Sequence, residues 1–418
     1  MSPTGGPSLP VSIVGVGAVR PAPQPQPVRL PAGSPVESFP AYVCADPACE
    51  GLVPPGTLRR LGHIQRMALA AAGCAMRVCP TPVTYQPHGV ARPPAVGWPC
   101  VTSDKARSRN GAWPCHPPGT VATVVGTGLG ALSDTAGFLE NMVRLKEREP
   151  KPTLFINSVH NTLASWIAIA LDCQGENHTF CHTLVSFEQA AHHAMAILRA
   201  GRADGVLVCG ADEANPYLVA AGIGWSWWRR DGSALRPMTE SAGGSGTLPG
   251  EGAAAFLFAR SDGGAPPPVA RLAALRVGPL RRRAHPSGAT PNGYRGTEEV
   301  EFIRQTMAGC GLDLGDADFV LLGANGDAAT DAAYAAVLRA WAEQTGRYPR
   351  WGVYKHLCGE FCTAPALGLA TAVEIVRTGA VPPGIERSQP GPDAARPRSV
   401  LLYHFAESAG HSACLVTP

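Results

Sequence analysis

The sequence has little charge and no long apolar run. Asp, Glu, Lys and Arg make up 16% of the 418 residues, the formal net charge is +3, and no run of Lys and Arg stands out. Nucleic acid is therefore not an expected partner. The first residues lack the basic region and apolar stretch of a secretory signal, and nowhere do 18 apolar residues run together. These absences predict a soluble cytoplasmic protein without a membrane span.

The thirteen cysteines lack the spacing of a metal site. None forms a Cys-x-x-Cys pair, and no histidine follows at zinc-finger spacing. The closest pairs are Cys44 with Cys49, Cys74 with Cys79, and Cys358 with Cys362. An odd count without a secretion signal is typical of reduced thiols in a core. No metal site is therefore predicted.

An apolar fraction of 45% allows a large buried core. The length fits two or three average domains, or one fold built from two similar halves of about 200 residues each. Residues 79–120 are rich in Pro and Gly, carry the basic cluster 105–109 and predict a long surface insertion.

Strand and helix signals recur in two parts of the chain. In the first part, HTFCHT (178–183) and GVLVCGADE (205–213) predict strands on either side of a helix over 186–200. In the second part, WGVYKHLCG (351–359) predicts a strand and turn before a helix over 364–377.

Two further matches support a duplication. The helix end at 197–201 resembles that at 375–379, and DFVLLGANGD (318–327) mirrors GVLVCGADE. Two related α/β halves are therefore predicted, 1–262 and 263–418, joined by the Pro- and Gly-rich segment 262–269.

A glycine-rich turn follows another predicted strand. VATVVGTGLGAL (121–132) places Gly126, Gly128 and Gly130 between that strand and a helix from about Ser133 to Lys146. The third glycine comes one residue too early for a dinucleotide-binding fingerprint, and no acidic residue ends a strand about 20 residues later. Nucleotide binding is therefore not predicted.

Several motifs resemble the β-ketoacyl synthases in their order and spacing. They are GVGAV (15–19), VVGTGLG (124–130), AILRAGRADGVLVCGADE (196–213), ALRPMTES (234–241), PGEGAAAFLF (249–258) and AGHSACLV (409–416). The resemblance implies a thiolase-like α/β fold, with two related halves that each hold a five-stranded mixed sheet between helices. It also implies assembly as a dimer, around residues 157–183, and no cofactor.

The same resemblance implies a cysteine nucleophile at a strand-to-helix turn and two histidines that stabilise an enolate. Spacing from Asp204 and from Gly175 places the cysteine position at Leu184, directly after Thr183. Spacing from Asp331 places the first histidine position at Gly323. The second falls on Glu360, while the accompanying lysine is retained as Lys355. No catalytic residue is therefore predicted, and Lys355 is the expected partner for the charge of Glu360.

Two other groups of side chains could carry a different chemistry, a thiol and a set of histidines. Cys181 beside His182 is a candidate for a relocated thiol, but a position inside a buried strand predicts a core cysteine. His192 and His193, near His178 and His182, resemble a metal cluster. Adjacent residues of a helix diverge by about 100°, so solvated or core histidines are predicted instead.

Within the family that the chain resembles, paired subunits exist in which one subunit condenses and the other lacks the cysteine and shapes the tunnel for the growing chain. Residues 155–190 and 355–364 look like the variants that make aryl polyenes and other reduced polyene chains. The resemblance therefore implies a chain-length-factor-like subunit, with a catalytic ketosynthase and an acyl carrier protein as partners. The alternatives are an acyltransferase or decarboxylase that uses Cys181, Lys355 or Glu360, and a homodimeric acyl-binding protein.

The resemblance also implies that the helix after the glycine turn lines the acyl tunnel or borders its far end at the dimer interface. Its apolar residues recur at helical spacing, so they form one stripe, and ordinary core packing is the alternative. The predicted tunnel and interface residues are Leu129, Leu132, Ala136, Leu139, Val143 and Trp166.

Overall fold

The computed structural model describes residues 10–76, 120–229, 231–239, 244–261, 267–279, 295–389, 395–406 and 410–418. The predicted insertion at 79–120 lies outside the described residues apart from Thr120. The predicted boundary between residues 262 and 263 also lies outside them and stays a prediction.

The described strands are β1 (Val11–Val19), β2 (Gln26–Arg29), β3 (Ser38–Ala41), β4 (Val121–Gly126), β5 (Asn177–Phe180), β6 (Gly205–Asp212), β7 (Gly252–Arg260), β8 (Ala270–Gly278), β9 (Phe319–Leu322), β10 (Trp351–Val353), β11 (Val400–Ala406) and β12 (Gly410–Thr417). The described helices are α1 (Pro55–Leu58), α2 (His63–Met76), α3 (Leu132–Arg144), α4 (Pro152–Ser158), α5 (Thr162–Leu171), α6 (Ser186–Arg199), α7 (Pro216–Gly224), α8 (Thr297–Ala308), α9 (Ala328–Thr345) and α10 (Ala364–Thr378).

Ten of these strands form one mixed sheet in the order β10-β9-β11-β12-β8-β1-β7-β6-β4-β5. The sheet divides into two sets of five, which meet where β1 pairs with β8 over three residues, Val11 to Ile13. In each set the strands stand in the order first, fifth, fourth, second, third. The two pairings next to β1 and to β8 are antiparallel, and the two beyond them are parallel. The predicted fold of two related α/β halves is therefore confirmed.

Helices cover both faces of each half because the strands are apolar on both sides. Val206 and Val208 of β6 belong to a core cluster that includes α6 and α10, whereas Leu207 of the same strand faces α2 and α5. Along β9, Leu321 joins the cluster of α6 and α10, and Leu322 faces α8 and α9. A central helical layer of α6 and α10 therefore lies between the two halves, with helices outside each of them.

The two central helices also end alike. Gly201 follows α6 with a φ of +66°, and Gly379 follows α10 with a φ of +64°, the left-handed conformation that glycine adopts at helix ends. The predicted similarity of the two helix ends is confirmed. The strand predicted over 178–183 is shorter than expected, because β5 ends at Phe180.

In the described part of the chain, no single helix is long and apolar enough to cross a membrane. Only α4 and α5 taken together reach that length and composition, and they are bent by 97° relative to each other.

Candidate functional site

A cavity of about 970 Å³ lies at the carboxyl ends of the parallel strands of both halves. This edge of an α/β sheet is where ligands usually bind, because loops from several strands meet there. The walls come from the turn after β4, the turn before α6, the residues after β6, β9 and β10, and the end of β11.

All four residues at the positions implied by the sequence resemblance line this cavity. They are Leu184, Gly323, Lys355 and Glu360. Residues from three distant parts of the chain are thus brought together, as their spacing from the family motifs predicts. The cavity therefore brings together the positions at which the sequence resemblance implies the reacting groups.

The turn before α6 keeps a strand-to-helix geometry without a nucleophile. Thr183 has a φ of +45°, which is unusual for a β-branched residue. Ser186 Oγ stabilises the turn: it accepts a hydrogen bond from the amide of His182 at 2.8 Å and donates to the carbonyl of Thr183 at 2.7 Å. Leu184 lies between them and presents an aliphatic side chain to the cavity, so it cannot attack a thioester.

No side chain fits at Gly323. A Cβ added there would lie 2.8 Å from the hydroxyl of Tyr334 and 2.9 Å from Cδ2 of His404. Tyr334 is fully buried, and its hydroxyl accepts a hydrogen bond from the amide of Phe405 at 3.1 Å. The space beside Gly323 is therefore already occupied, and one of the occupants is an imidazole.

The motif position itself is Gly323 as predicted from spacing, but an imidazole from another strand lies beside it. His404 comes from β11, is buried and lines the cavity. Sequence reasoning missed it because it tracked positions in family motifs. The available signal was a lone histidine within LLYHFA, a strand that is otherwise apolar apart from the Tyr403 hydroxyl.

Lys355 and Glu360 form a buried ion pair, as predicted. Lys355 Nζ lies 2.6 Å and 2.8 Å from the two carboxylate oxygens of Glu360, and the Lys355 side chain is only 2% exposed. Asn325 Nδ2 donates to Glu360 Oε2 at 2.7 Å. The backbone of Glu360 is held by hydrogen bonds with Leu248 and Gly250. Both charges are thus neutralised by each other in a fixed geometry.

A series of polar side-chain contacts continues from Lys355 to α6 in the central helical layer. His404 Nε2 lies 3.5 Å from Lys355 Nζ, and its Nδ1 lies 3.0 Å from Glu188 Oε1 on α6. The same carboxylate oxygen accepts a hydrogen bond from Ser412 Oγ at 3.0 Å. An ammonium group can only donate and a carboxylate can only accept, so a neutral His404 protonated on Nδ1 satisfies both neighbours. Its imidazole is thus engaged on both sides.

Two acidic residues at the end of β6 also line the cavity, Asp212 as its last residue and Glu213 directly after it. Asp212 accepts hydrogen bonds from the Gly128 and Thr363 amides at 2.8 Å each, and so ties the glycine turn to the start of α10. Burial raises the pKa of Glu213 to about 7, although the Ser133 amide donates to its carboxylate at 2.7 Å. The Asp212 carboxylate therefore has a structural role, and Glu213 is the cavity acid that titrates near neutral pH.

The candidate thiol Cys181 is not a core residue, contrary to prediction. It follows the end of β5, is exposed, and is not among the residues that line the cavity. Partial desolvation, with a smaller contribution from Asp212, raises its pKa to about 11. Cys362 does line the cavity, but burial raises the pKa of its thiol strongly. Neither group is a thiolate at neutral pH.

The six predicted tunnel and interface residues separate into two groups. Leu129 and Leu132 line the cavity. Ala136, Leu139, Val143 and Trp166 do not. On α3, Leu139 is 57% exposed and Val143 is 80% exposed, so core packing within the chain is the wrong explanation for that end of the stripe.

Comparison with known proteins agrees with this geometry. Residues 100–263 match the family described as beta-ketoacyl synthase, N-terminal domain. No curated protein is significantly similar to the chain in sequence.

Three solved structures illustrate the similarity in fold. A beta-ketoacyl synthase from Burkholderia phymatum STM815 has a TM-score of 0.72 at 16% identity, with 98% of this chain and 99% of that chain covered. The ishigamide ketosynthase/chain length factor has a TM-score of 0.72 at 19% identity, with the same coverage. A type II polyketide synthase acyl-carrier protein in complex with its ketosynthase has a TM-score of 0.69 at 15% identity, with 98% and 99% covered. At these identities the likeness shows the fold.

Removal of one charge from the buried pair tests this description. We expect Glu360→Ala to lower the free energy of unfolding by about 3–5 kcal/mol, because the Lys355 ammonium is left buried without a counter-charge. Urea denaturation measures the effect. Glu301→Ala, which breaks an exposed pair with Arg304, is the control and should cost less than about 1 kcal/mol. Equal denaturation midpoints for the two variants would show that the buried pair does not form.

Proposed function

We propose that the chain is the non-catalytic, chain-length-factor-type partner of a catalytic ketosynthase, because residues 100–263 match the beta-ketoacyl synthase N-terminal domain and the fold resembles that of a ketosynthase/chain length factor. The pair would act in the cytoplasm in type II polyketide, polyene or fatty-acid-like biosynthesis. The observation that carries the proposal is the content of the cavity. Leu184 stands where a nucleophile is expected, and the nearby charges of Lys355 and Glu360 neutralise each other.

The polar groups in the cavity argue against condensation by this chain alone. Decarboxylation of a malonyl thioester develops negative charge, which must be stabilised by free hydrogen-bond donors. Lys355 already donates to Glu360, and the Glu360 carboxylate would repel an enolate. A catalytic subunit must therefore supply the reacting groups.

An exposed apolar surface supports pairing with another subunit. We call it the α3–α5 surface. It consists of Leu139, Val143, Phe155, Ile156, Val159 and Ile169, which are between 42% and 80% exposed. Successive elements of this region pack on each other, from α3 to α4, α5 and β5. Several large exposed apolar side chains on neighbouring elements are a feature of protein interfaces.

One of the two edges of the described sheet, strand β5, lies beside this surface. Among the described strands, β5 pairs only with β4, so its other edge has unpaired backbone groups. A second copy of this chain would cover the surface but would bring no nucleophile to either cavity. We therefore propose a ketosynthase as the partner, with an acyl carrier protein that delivers acyl groups to the pair. The ketosynthase neighbour solved with its acyl-carrier protein supports that delivery.

The alternative of a self-contained enzyme has less support. Cys181 has a raised pKa and lies outside the cavity lining, and Lys355 is fully engaged by Glu360. The other alternative, an acyl-binding homodimer, differs from the proposal because it requires no ketosynthase partner.

Substitutions on the α3–α5 surface test the pairing. Coexpressed with candidate ketosynthases, the chain should form a one-to-one complex, measured by intact-complex mass spectrometry. We expect Val143→Glu and Ile169→Glu to abolish the complex and to leave the unfolding transition unchanged, because both side chains are more than 70% exposed. Tyr348→Glu is the control, since Tyr348 is exposed between α9 and β10. A soluble homodimer that ignores every ketosynthase would favour the acyl-binding protein instead.

A larger side chain on α3 tests the tunnel. Leu132 lines the cavity, so Leu132→Trp should narrow it and shorten the products made by the reconstituted pair. The proposal keeps Ala136 beside the passage and expects Ala136→Phe to act in the same direction. Product masses are compared after reconstitution with the ketosynthase, carrier protein and reducing enzymes. If the products keep their chain lengths while the complex stays intact, α3 does not line the tunnel.

A further inference from the structure

Three side chains that can bind a metal converge between β5 and α6, apart from the cavity. They are Glu176, directly before β5, His178 on β5, and His193 on α6. One potential ligand atom of each lies within 4.8 Å of the others. His178 Nε2 is 2.8 Å from Glu176 Oε2, and the ring centroids of His178 and His193 are 4.6 Å apart. The cluster therefore joins the edge strand to the central helix that covers it.

The divergence of adjacent helical residues excludes His192 and His193 as a chelating pair, but it does not exclude His193 together with His178. His192 and His193 diverge on α6 as predicted, and His192 is exposed. His193, however, packs between His178 and Phe180, with its ring centroid 5.1 Å from that of Phe180. Alternate residues of β5 face α6, which is why His178 and Phe180 both reach it.

A second observation points to a ligand at this place. Nε2 of His193 is buried and has no hydrogen-bond partner among the described residues. A buried polar atom without a partner is costly, so it needs an explanation. Imidazole nitrogen is a common metal ligand, so a bound metal ion would give this nitrogen a partner.

We propose that Glu176, His178 and His193 form a zinc site that fastens β5 to α6. Two imidazoles and one carboxylate are a known zinc ligand set, with water in the fourth position, and imidazole favours zinc over magnesium or calcium. Tetrahedral zinc holds its ligand atoms about 3.3 Å apart. The three side chains are partly exposed, so small rotations close the remaining distance. The site differs from the prediction that the chain holds no metal.

One neighbour limits the affinity of the site. Arg202 Nη1 donates to Glu176 Oε2 at 2.9 Å, so the guanidinium competes with a cation for the carboxylate. The Arg202 side chain is 44% exposed and can turn into solvent when zinc binds. Removal of its charge is therefore expected to tighten zinc binding.

The full-length chain, stripped of metal and held in reductant, is titrated with Zn²⁺ in a calorimeter. We expect the wild type to bind one equivalent of Zn²⁺ at this site. His193→Gln and Glu176→Gln should lose this equivalent, and His192→Gln should keep it. Arg202→Gln should bind it at least fivefold more tightly. The unfolding temperature should rise with Zn²⁺ in the wild type and not in His193→Gln. Zinc bound by cysteine thiols would persist in every variant, so it is separable from this site.

Either of two results would overturn the proposal. One is that the wild type binds no more equivalents of Zn²⁺ than the His193→Gln variant does. The other is a His192→Gln variant that loses zinc as completely as His193→Gln. Each test is independent of the proposed pairing with a ketosynthase, because it uses the isolated chain and reads no condensation activity.

Discussion

The cavity depends on one constraint, which is that the ammonium group of Lys355 is buried and must be neutralised. Glu360 supplies the counter-charge with both oxygens, and Asn325 holds the carboxylate in place. On the other side, His404 and Glu188 extend the polar chain into the central layer. A buried pair of this kind adds little stability over apolar packing, but it is costly to break. The charge of Lys355 is therefore already neutralised within the cavity wall, whereas a site that stabilises a transient anion needs free hydrogen-bond donors.

The duplicated architecture explains why these groups meet. The parallel strands of both halves end at the same cavity, so the turn before α6 in one half faces the residues after β9 and β10 in the other. The α6–α10 layer ties the halves together, with Glu188 on α6 reaching His404 on β11. This framework does not depend on the side chain at Leu184, because it rests on strand order and helix packing. The fold can therefore serve a structural role beside a catalytic subunit.

Much of this arrangement follows from sequence, and the exceptions have physical reasons. Motif spacing located Leu184, Gly323 and Glu360 because glycine turns and strand ends fix the distances between them. His404 was missed because every residue of β11 is buried, so the sequence of this strand does not show which side chains face the cavity side and which face the outer helices. Cys181 was predicted in the core but is exposed, because strand ends are the least certain part of a sequence pattern. The strand was predicted to reach Thr183, whereas β5 ends at Phe180, one residue before Cys181. The His178–His193 contact depends on which strand lies under α6, which a single sequence does not reveal.

The central claim is that the cavity cannot form an acyl-enzyme, and intact mass tests it most directly. The purified chain, alone and in complex with a ketosynthase, is incubated with an acyl-loaded carrier protein and its mass is measured. The account predicts an unchanged mass for this chain in both samples, with the acyl group found on the ketosynthase. A stoichiometric acyl adduct on this chain, mapped to Cys181, Cys362 or Lys355, would contradict the account and identify the chain as an enzyme.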